Sequence, residues 1–449
     1  MATKVLDKLT VAASPPAAGG VLPLTFFDVP WLFTGPVERV FFYPYPHPVD
    51  HFTAHLQPSL VSSLSAALHG FYPLLGRVRP CPPDGGGGYE FWSTGGDEDR
   101  VELTVAESSY DFDELSGGGP RDVGRLYSLV PQLPRPEDAS FALAAVQVTI
   151  FPSRGIAVGV SIHHVACDDS SFMHFVKTWA GHCRVAAGAD AATVPPAPFL
   201  DRGVVADPDG LAAKTLDQIR QLAAGGPPPP PPSGPPPKLV MASFTLTRDC
   251  IDKLKQRVTA SGGGGGVHCS AFTVACAYAW TCLVRVDASA AGRERAHLLF
   301  SVECRRRLTP PVPQEYLGNC LRPCFVEVDM GGLLGADGVV TAAVGIGASI
   351  RGLDDGVLDG ADGWFHKILS MMSHRPMSVG GSPRYGVYDT DFGLGRPRKV
   401  ELLSIDKTPG TVSMAEGRDG QGGIEIGVAL PEAEMDQFTS CFSDGLKQL

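Results

Sequence analysis

Two neighbouring β-rich segments place the strongest constraint on how this chain folds. Residues 141–151 (FALAAVQVTIF) and 155–162 (GIAVGVSI) are separated by a three-residue stretch containing proline, which is typical of an antiparallel hairpin. The second segment runs directly into His163 and His164. Residues 172–185 then carry apolar side chains at helical spacing. The sequence therefore predicts a strand, a tight turn and a helix around a pair of histidines.

Segments of both types recur along the rest of the chain. Further strands are predicted at residues 39–43, 239–246, 298–302, 324–328, 411–414 and 423–430. Further helices are predicted at residues 60–68, 209–222, 248–260 and 270–284. Asp169 or Ser170 is expected to cap the helix after the histidines, and Ser270 to cap its own helix. The predicted fold class is mixed α/β (α+β) in two lobes.

Glycine and proline clusters suggest where the lobes divide. The chain of 449 residues holds 53 Gly and 40 Pro, and much of this excess lies in runs at 85–88, 262–266 and 227–237. These runs cannot continue a helix or pair in a sheet. We therefore predict an N-terminal lobe at 1–200, a proline-rich crossover linker at 201–238 and a C-terminal lobe at 239–449.

Charge and cysteine content exclude several classes of protein. With 37 basic and 48 acidic side chains the formal net charge is −11, which argues against nucleic acid as a partner. The 11 cysteines contain no CxxC pair, so neither a zinc cluster nor a complete disulfide framework is supported. The N-terminus has no signal pattern and the chain has no long apolar run. We expect a cytoplasmic protein with reduced thiols and no membrane span.

His164 and Asp168 form the strongest local signal for chemistry. A histidine at a strand end, with a carboxylate four residues later, is placed like a general base at the edge of a sheet. A turn-forming Asp beside a strand-end His gives the same spacing by chance. Asp168 can either orient the imidazole or pair with an arginine. His163 is expected on the opposite face of the strand, because side chains alternate.

Three further features each allow two interpretations. Cys167 lies between the two motif residues and can be a nucleophile, but a buried structural thiol is preferred. Asp391 lies in the loop YDTDFGLG, and a glycine-dependent loop in which it pairs with an arginine is preferred to a catalytic Asp. The three consecutive arginines 305–307 can bind an anionic ligand or form a solvated basic turn that pairs with such acids.

Several familiar catalytic motifs do not occur in the sequence. It contains no GxSxG and no HExxH, and neither glycine run is followed by Lys and Ser or Thr at P-loop spacing. The Asp-Phe-Gly at 391–393 lacks the other elements of a protein kinase. A histidine base without a metal or a protein nucleophile suits direct transfer, in which the histidine deprotonates the acceptor substrate itself.

Two short motifs, about half the chain apart, carry a family resemblance. Residues 164–168 (HVACD) and 391–395 (DFGLG) resemble the HxxxD and DFGWG signatures of the plant BAHD acyl-CoA-dependent acyltransferases. The likeness extends over nearly the whole length through LTFFD at 24–28 with Trp31, FYPLLGR at 71–77 and EGRDG at 416–420. Residues 316–320 (YLGNC) are similar to the YFGNC signature of the anthocyanin and flavonoid glycoside acyltransferases. The chain therefore most resembles the phenolic glucoside malonyltransferases.

The resemblance implies a chloramphenicol acetyltransferase-like architecture. It consists of two similar-sized lobes, each with a mixed sheet flanked by helices, and a solvent channel between the lobes. His164 would be the general base, acting without a covalent enzyme intermediate. Asp168 would point away from the channel and bond Arg305 or Arg307, and Asp391 with Gly393 and Gly395 would form a structural loop.

Substrate contacts are also implied by the resemblance. The region of the CoA contact matches Ser270, Lys253, Lys255 and Arg257, and Asn319 of the YLGNC motif is assigned to the same acyl-CoA site. Acyl-CoA would be a co-substrate, with no metal or other cofactor. The partners would be two small molecules, with no nucleic acid and no membrane, and the chain would act as a monomer.

The predicted reaction moves an acyl group, malonyl first, from CoA to a hydroxyl of a flavonoid or other phenolic glucoside. The alternatives are an aromatic hydroxycinnamoyl donor, an amine acceptor, or an inactive homologue that binds CoA and phenolics. Asp169 replaces the Gly that usually follows HxxxD, Leu394 the usual Trp and Leu317 the usual Phe. These three differences do not change His164. They do not decide the identity of the acyl donor, because a pocket for a malonyl group and a pocket for an aromatic acyl group differ by only a few side chains.

Overall fold

Strands and helices are interleaved along the chain in the computed structural model. It describes residues 2–82, 87–96, 98–133, 140–224, 238–263, 269–287, 290, 292–354 and 356–449. The predicted proline spacer at 227–237 lies outside the described residues, as do parts of the glycine runs at 85–88 and 262–266.

The strands and helices have the following bounds. The strands are β1 Thr3–Val11, β2 Gly20–Pro23, β3 Pro36–Pro44, β4 Arg77–Pro80, β5 Tyr89–Ser93, β6 Val101–Ser108, β7 Arg121–Asp122, β8 Phe141–Ala142, β9 Ala144–Phe151, β10 Gly155–His163, β11 Leu239–Leu246, β12 Arg295–Glu303, β13 Leu321–Asp329, β14 Met377–Gly380, β15 Lys399–Leu402, β16 Thr411–Glu416 and β17 Ile424–Pro431. The helices are α1 Val49–His51, α2 Gln57–Gly70, α3 Phe112–Leu115, α4 Val123–Tyr127, α5 Asp169–Ala186, α6 Leu211–Ala224, α7 Arg248–Val258, α8 Ala271–Val286, α9 Met330–Leu334, α10 Gly338–Arg351, α11 Trp364–Met372 and α12 Glu432–Lys447. Every strand and helix predicted above is confirmed, with boundaries that differ by a few residues.

The first sheet is built around the predicted hairpin. Its strand order is β1-β6-β9-β10-β3-β15, and β9 pairs antiparallel with β10 while β6 pairs parallel with β9. Both hairpin strands are buried along their whole length. One face packs against α2 and α5, and the other packs against α3 and α4. Burial on both faces explains why these segments read as continuous apolar runs rather than alternating ones.

The second sheet forms the other half of the molecule. Its strand order is β13-β12-β14-β16-β17-β11-β7, and it also mixes parallel and antiparallel pairs. Helix α8 packs against this sheet and against α10 and α12, so nearly all of its side chains are buried. A smaller sheet of four strands has the order β2-β5-β4-β8.

Each large sheet takes an edge strand from the other half of the chain. β7 comes before the proline run but pairs with β11 of the second sheet, and β15 comes late in the chain but pairs with β3 of the first. Residues 391–395, placed with the second lobe by the sequence, bury Phe392 in the core of the first. The sheets therefore do not follow the predicted division of the chain strictly, and the domain bounds themselves stay a prediction.

A buried charge network joins the exchanged strands. Glu401 of β15 lies 2.6 Å from a guanidinium nitrogen of Arg121 on β7, and 3.1 Å from the Lys399 ammonium. Lys399 also pairs with Glu425 of β17. Burial lowers the pKa of Lys399 to about 7. Burial opposes the charge of Glu401, but Arg121 and Lys399 lower its pKa to about 2. The network therefore links the two sheets through paired charges.

Helix caps were predicted correctly at one helix and wrongly at another. Ser270 caps α8, where its hydroxyl accepts a hydrogen bond from the backbone N–H of Thr273 at 3.1 Å. Helix α5 is capped by Asp168, not by Asp169 or Ser170, and the Asp168 carboxylate accepts from the Ser171 N–H at 3.0 Å. The turn after β10 is one residue shorter than expected, so Asp169 is already helical.

Candidate active site

A cleft between the two halves of the chain contains His164. Its volume is 470 Å³, and its lining comes from both sheets and from α11. The lining includes Phe26, Phe27, Pro30, Trp31 and His164 from the first half, and Phe300, Ser301, Trp364, Phe365, Ser378 and Thr411 from the second half. Most of this surface is apolar or aromatic, so the cleft suits flat, apolar parts of a substrate.

The backbone fixes His164 at the point where β10 ends. Its N–H donates to the carbonyl of Gly35 at 3.2 Å, and its carbonyl accepts from the Asn319 amide at 2.9 Å. The same amide contacts the carbonyl of Val165 at 3.3 Å. Segments before and far after the histidine therefore hold its backbone from two sides.

The imidazole of His164 stacks on the indole of Trp31. The ring centroids are 3.7 Å apart and the rings are within 4° of parallel. Nδ1 is buried and has no hydrogen-bond partner within the described residues, while the residue as a whole is half-buried. Burial lowers the pKa of His164 below its ordinary 6.5, although its own carbonyl, Asp168, Asp169 and Asn319 act in the opposite direction. The imidazole is therefore held mainly in its neutral form.

Asp168 is fully engaged away from the imidazole. Its carboxylate accepts two bonds from Arg305, at 2.8 and 3.0 Å, one from the Cys320 N–H at 3.0 Å, and the helix-cap bond from Ser171. Asp168 and Arg305 are both buried. Arg305 is therefore the arginine partner, while Arg307 pairs with the exposed Asp354 at 3.3 Å.

The residue that replaces the usual glycine also has a partner. Asp169 lines the cleft, and its carboxylate receives two bonds from the buried Arg39 of β3, at 2.6 and 3.0 Å. Lys407 also lines the cleft and lies 2.6 and 2.7 Å from the two carboxylate oxygens of Glu38. Within the described residues these are the two formally charged side chains that line the cleft, and both charges are paired.

A buried cluster connects the cleft walls behind the histidine. The Asp28 carboxylate accepts from the Asn319 amide at 3.0 Å, from the Asn319 N–H at 3.1 Å and from Arg202 at 3.1 Å. All three residues are buried. Asn319, which the sequence assigned to acyl-CoA binding, therefore lies behind the cleft and contacts the backbone of His164.

Two neighbours of His164, His163 and Cys167, are buried and lie outside the cleft lining. His163 ends β10 with its ring against Phe141, and burial lowers its pKa to about 4. Cys167 is buried, and burial raises the pKa of its thiol well above the ordinary value. The preferred interpretation of Cys167 as a structural thiol agrees with this environment.

Asp391 holds its loop through backbone groups. Its Oδ1 accepts from the N–H groups of Gly393, Leu394 and Gly395 at 2.8, 2.9 and 2.8 Å. The predicted arginine partner is not found within the described residues, and these amides take its place. Phe392 anchors the loop against Trp179 and lies outside the cleft lining.

The residues assigned to the CoA contact lie together but apart from His164. They are Ser270, Lys253, Lys255 and Arg257, on α7 and at the start of α8, two helices that pack against each other. Lys253 pairs with Asp249 at 3.1 Å, and Arg257 donates to the carbonyl of Ala336 at 2.6 Å. None of the four lines the cleft described above. Their role in CoA binding stays a prediction.

Comparison with known proteins identifies the family. The model of the family described as "Transferase family", which comprises the BAHD acyltransferases, matches residues 1–444. The chain belongs to this family. As a BAHD enzyme it is an acyl-CoA-dependent O-acyltransferase, and the family uses acyl-CoA as a co-substrate without a separate cofactor.

Curated relatives of this BAHD enzyme act with two kinds of acyl donor. It is 37% identical to coumaroyl-CoA:anthocyanidin 3-O-glucoside-6''-O-coumaroyltransferase 2 of Arabidopsis thaliana, covering 98% of this chain and 97% of the relative. It is 36% identical to phenolic glucoside malonyltransferase 2 of the same plant, covering 95% and 94%. These identities do not separate a coumaroyl from a malonyl donor.

Solved structures confirm the BAHD fold. Vinorine synthase superposes with a TM-score of 0.66 at 20% identity, covering 97% of this chain and 96% of that one. Fusarium sporotrichioides TRI101, solved with coenzyme A and T-2, gives a TM-score of 0.62 at 16% identity, with 94% and 97% covered. The predicted two-lobed architecture is therefore correct. No described helix has the length and apolar character needed to cross a membrane.

Sequence reasoning missed the residues that surround the base. Asp28 and Trp31 were recognised only as part of a family-like segment, and Arg39 and Arg202 were not singled out. One signal was available, because Arg39 opens the buried strand RVFFY, where an unpaired charge would be costly. Nothing local indicated that its partner is Asp169.

Proposed function

We propose that this BAHD enzyme transfers an acyl group from acyl-CoA to a hydroxyl of an anthocyanin or other phenolic glucoside, with His164 as general base. The observation that carries the proposal is the position of His164 in a cleft lined by both halves of the chain. The named activities of the relatives supply the glucoside acceptor.

The reaction follows from the state of the imidazole. Because Nδ1 is buried, Nε2 is the ring nitrogen left to meet a substrate in the cleft. Nε2 removes the proton from the acceptor hydroxyl while the oxygen attacks the thioester carbonyl. The tetrahedral intermediate then collapses, the C–S bond breaks, and the leaving CoA thiolate takes the proton from the imidazolium. Asp168 does not touch the imidazole in this scheme and acts by holding the turn.

For the acyl donor we favour an aromatic hydroxycinnamoyl group over the malonyl group that the sequence favoured. A malonyl carboxylate needs a cationic or strongly donating partner when it leaves water. Lys407 is the cation in the described lining, and Glu38 already neutralises it. The remaining surface offers aromatic faces such as Trp364 and Phe365, which suit a planar ring.

A donor panel tests this choice. The purified enzyme is incubated with a flavonoid glucoside and, in turn, with malonyl-, acetyl- and coumaroyl-CoA. We expect the highest kcat/KM with coumaroyl-CoA. A preference for malonyl-CoA would contradict this choice. It would indicate that one of the two ion pairs in the cleft, Lys407 with Glu38 or Arg39 with Asp169, opens when the donor binds. An amine acceptor belongs in the same panel, and tight CoA binding without turnover on any acceptor would favour an inactive homologue.

The base itself is tested by His164→Ala. Loss of a general base typically costs a factor of about 10² to 10⁴ in rate, so we expect kcat to fall by that range. His69→Ala is the matched control, since His69 is exposed at the end of α2. Near-full turnover by His164→Ala would refute the assigned role.

The CoA contact is proposed at the start of α8. Lys255 lies near Ser270, since its charge partly offsets the rise in the pKa of the Cys269 thiol that burial causes. Lys253 and Arg257 lie one turn apart on the same helix and are already paired with Asp249 and Asp337, so Lys255 is proposed as the positive charge that meets a CoA phosphate. We expect Lys255→Ala to raise the KM for acyl-CoA and leave kcat unchanged. We also propose that the enzyme is a monomer, which light scattering tests.

A further inference from the structure

We propose that Trp31 is a positioning residue for His164, which holds the imidazole in place and stabilises the imidazolium that forms during acyl transfer. The inference rests on the proposed role of His164 as base. It assigns to the indole face a task that the Asp of a catalytic triad performs elsewhere.

The first step is the geometry of the contact. At a centroid distance of 3.7 Å and an interplanar angle of 4°, the indole covers one whole face of the imidazole. A neutral aromatic pair usually prefers an offset or edge-on arrangement to this face-to-face one. A cation placed over an indole face is instead attracted by the electrons of the ring. The observed stack is therefore better matched to the protonated ring than to the neutral one.

The second step is that the backbone of Trp31 is held in place. Trp31 ends the 3₁₀ turn Val29–Trp31, and its N–H donates to the carbonyl of Asp28 at 3.0 Å. Asp28 is bound by Arg202 and by Asn319, whose amide also binds the carbonyl of His164. The buried Asn319 side chain therefore connects the turn that carries Trp31 with the strand end that carries His164. The backbone on both sides of the stack therefore belongs to one hydrogen-bonded network.

The third step compares Trp31 with the other groups around the imidazolium, of which the His164 carbonyl and the Asn319 side chain also favour the charged ring. The charged groups around it are Asp168 and Asp169 of α5, each already bound by an arginine, Arg305 or Arg39. His163 and the paired Lys407 add no negative charge. Burial disfavours a charge on His164. Trp31 covers the ring itself and is the contact best placed to offset that cost when the proton arrives.

Kinetics of three variants test the role. We expect Trp31→Leu to lower kcat about 5- to 30-fold, which corresponds to the ordinary range of a desolvated cation–π contact. We expect the KM for acyl-CoA to change less than about threefold. The midpoint of the pH profile of kcat/KM should fall by about 0.5 to 1 unit, because the indole no longer stabilises the protonated His164 ring. Trp31→Phe keeps an aromatic face and should retain most of both properties. Trp92→Leu, remote in the four-stranded sheet, is the control.

A spectroscopic titration gives a second readout that needs no turnover. A protonated imidazole quenches the fluorescence of an indole stacked on it. The wild type should therefore show a fluorescence step on acidification that is absent from His164→Gln and from Trp31→Phe. This measurement keeps the proposal testable if Trp31→Leu fails to fold.

The outcomes separate the two proposals. An active His164→Ala would refute the base and with it this inference. An inactive His164→Ala together with a Trp31→Leu variant of wild-type kcat and pH midpoint would overturn only the role of Trp31. Equal losses in Trp31→Leu and Trp31→Phe, a change confined to KM, or a fluorescence step that survives in His164→Gln would also overturn it.

Discussion

At the scale of single residues, Asp168 shows what local spacing leaves undecided. The sequence allowed it to orient the imidazole or to pair with an arginine, because both roles place a carboxylate four residues after His164. In the structure, the Asp168 carboxylate accepts hydrogen bonds from Arg305, from the Cys320 N–H and from the Ser171 N–H of the helix cap. Arg305 and Cys320 come from more than 130 residues away, and no local pattern reveals such a pairing.

We expect Asp168→Asn to destabilise the protein strongly while sparing the chemistry of the imidazole. The variant keeps an oxygen for the cap but breaks the buried pair with Arg305, whose remaining charged partner is the more exposed Glu303 at 3.1 Å; loss of a buried pair typically costs about 3–5 kcal/mol. Urea denaturation measures this loss. Asp354→Asn breaks the exposed pair with Arg307 and should change the free energy of unfolding by less than about 0.5 kcal/mol. Equal effects from the two variants would refute the structural role of Asp168.

His163 makes the stability of the protein sensitive to acid. Its pKa is about 4 in the folded protein against 6.5 ordinarily, so the unfolded chain binds a proton first as pH falls. The neutral His163 therefore makes its full contribution to the free energy of unfolding above about pH 6.5. As the pH falls to about 4, this contribution of about 3 kcal/mol is lost. We expect His163→Asn, whose amide oxygen can still accept from the Val165 N–H, to flatten the pH dependence of unfolding. An unchanged slope would contradict the buried neutral state.

At the scale of elements, long apolar segments were predictable and turns were not. The hairpin β9 and β10, and helices α5 and α8, follow from patterns within one segment, so their existence and type could be read directly. The cap of α5 depended on how tightly the chain turns after β10, which is set by contacts with residues near 318. The sequence predicted that the loop at 391–395 depends on its glycines. It did not reveal that the Asp391 carboxylate accepts from three backbone N–H groups of the loop.

For this loop we predict that substitutions lower the stability of the protein without changing its activity. Gly393 has φ of +85°, where an added side chain is strained although no neighbour lies within 4 Å. We expect Gly393→Ala to cost about 1 kcal/mol from the backbone alone. Asp391→Ala should cost about 0.5–1.5 kcal/mol, because three backbone N–H groups lose their acceptor and the two exposed ones can bond water instead.

Both loop variants should leave the KM for acyl-CoA unchanged. Thermal denaturation and initial-rate kinetics on the same samples provide the measurement. Asp389→Ala, which removes a weak exposed pair with Arg396 and a charge near Lys177, is the control and should change the free energy of unfolding by less than about 0.5 kcal/mol. A raised acyl-CoA KM in Gly393→Ala would indicate that the loop contacts substrate.

At the scale of the whole molecule, the exchanged strands bind the two sheets into one unit. β15 completes the first sheet, β7 completes the second, and the network of Arg121, Lys399, Glu401 and Glu425 lies between them. The sequence predicted two lobes and a seam. It did not reveal the exchange, because strand pairing between distant segments leaves no periodic signal along the chain.

We expect the two halves to unfold in a single transition. Trp179 is buried in the first core and Trp280 in the second, so the fluorescence difference between the wild type and each Trp→Phe variant reports on one half. Single variants Trp179→Phe and Trp280→Phe should give coincident urea transitions. Glu401→Gln should lower both midpoints together, since it unpairs a buried arginine between the sheets. Two separate midpoints in the otherwise native protein would show that the halves are independent.

The late position of β15 has a consequence for synthesis on the ribosome. Until residue 402 of 449 has been made, β3 remains an open edge with unpaired backbone groups beside Phe41 and Phe42. A nascent chain that has passed the proline run already contains both histidines, yet Arg305 and Asn319, which hold the turn around them, do not exist. The growing chain therefore carries an aggregation-prone edge for most of its translation, and the turn that carries His164 gains its partners only after residue 319 has been made.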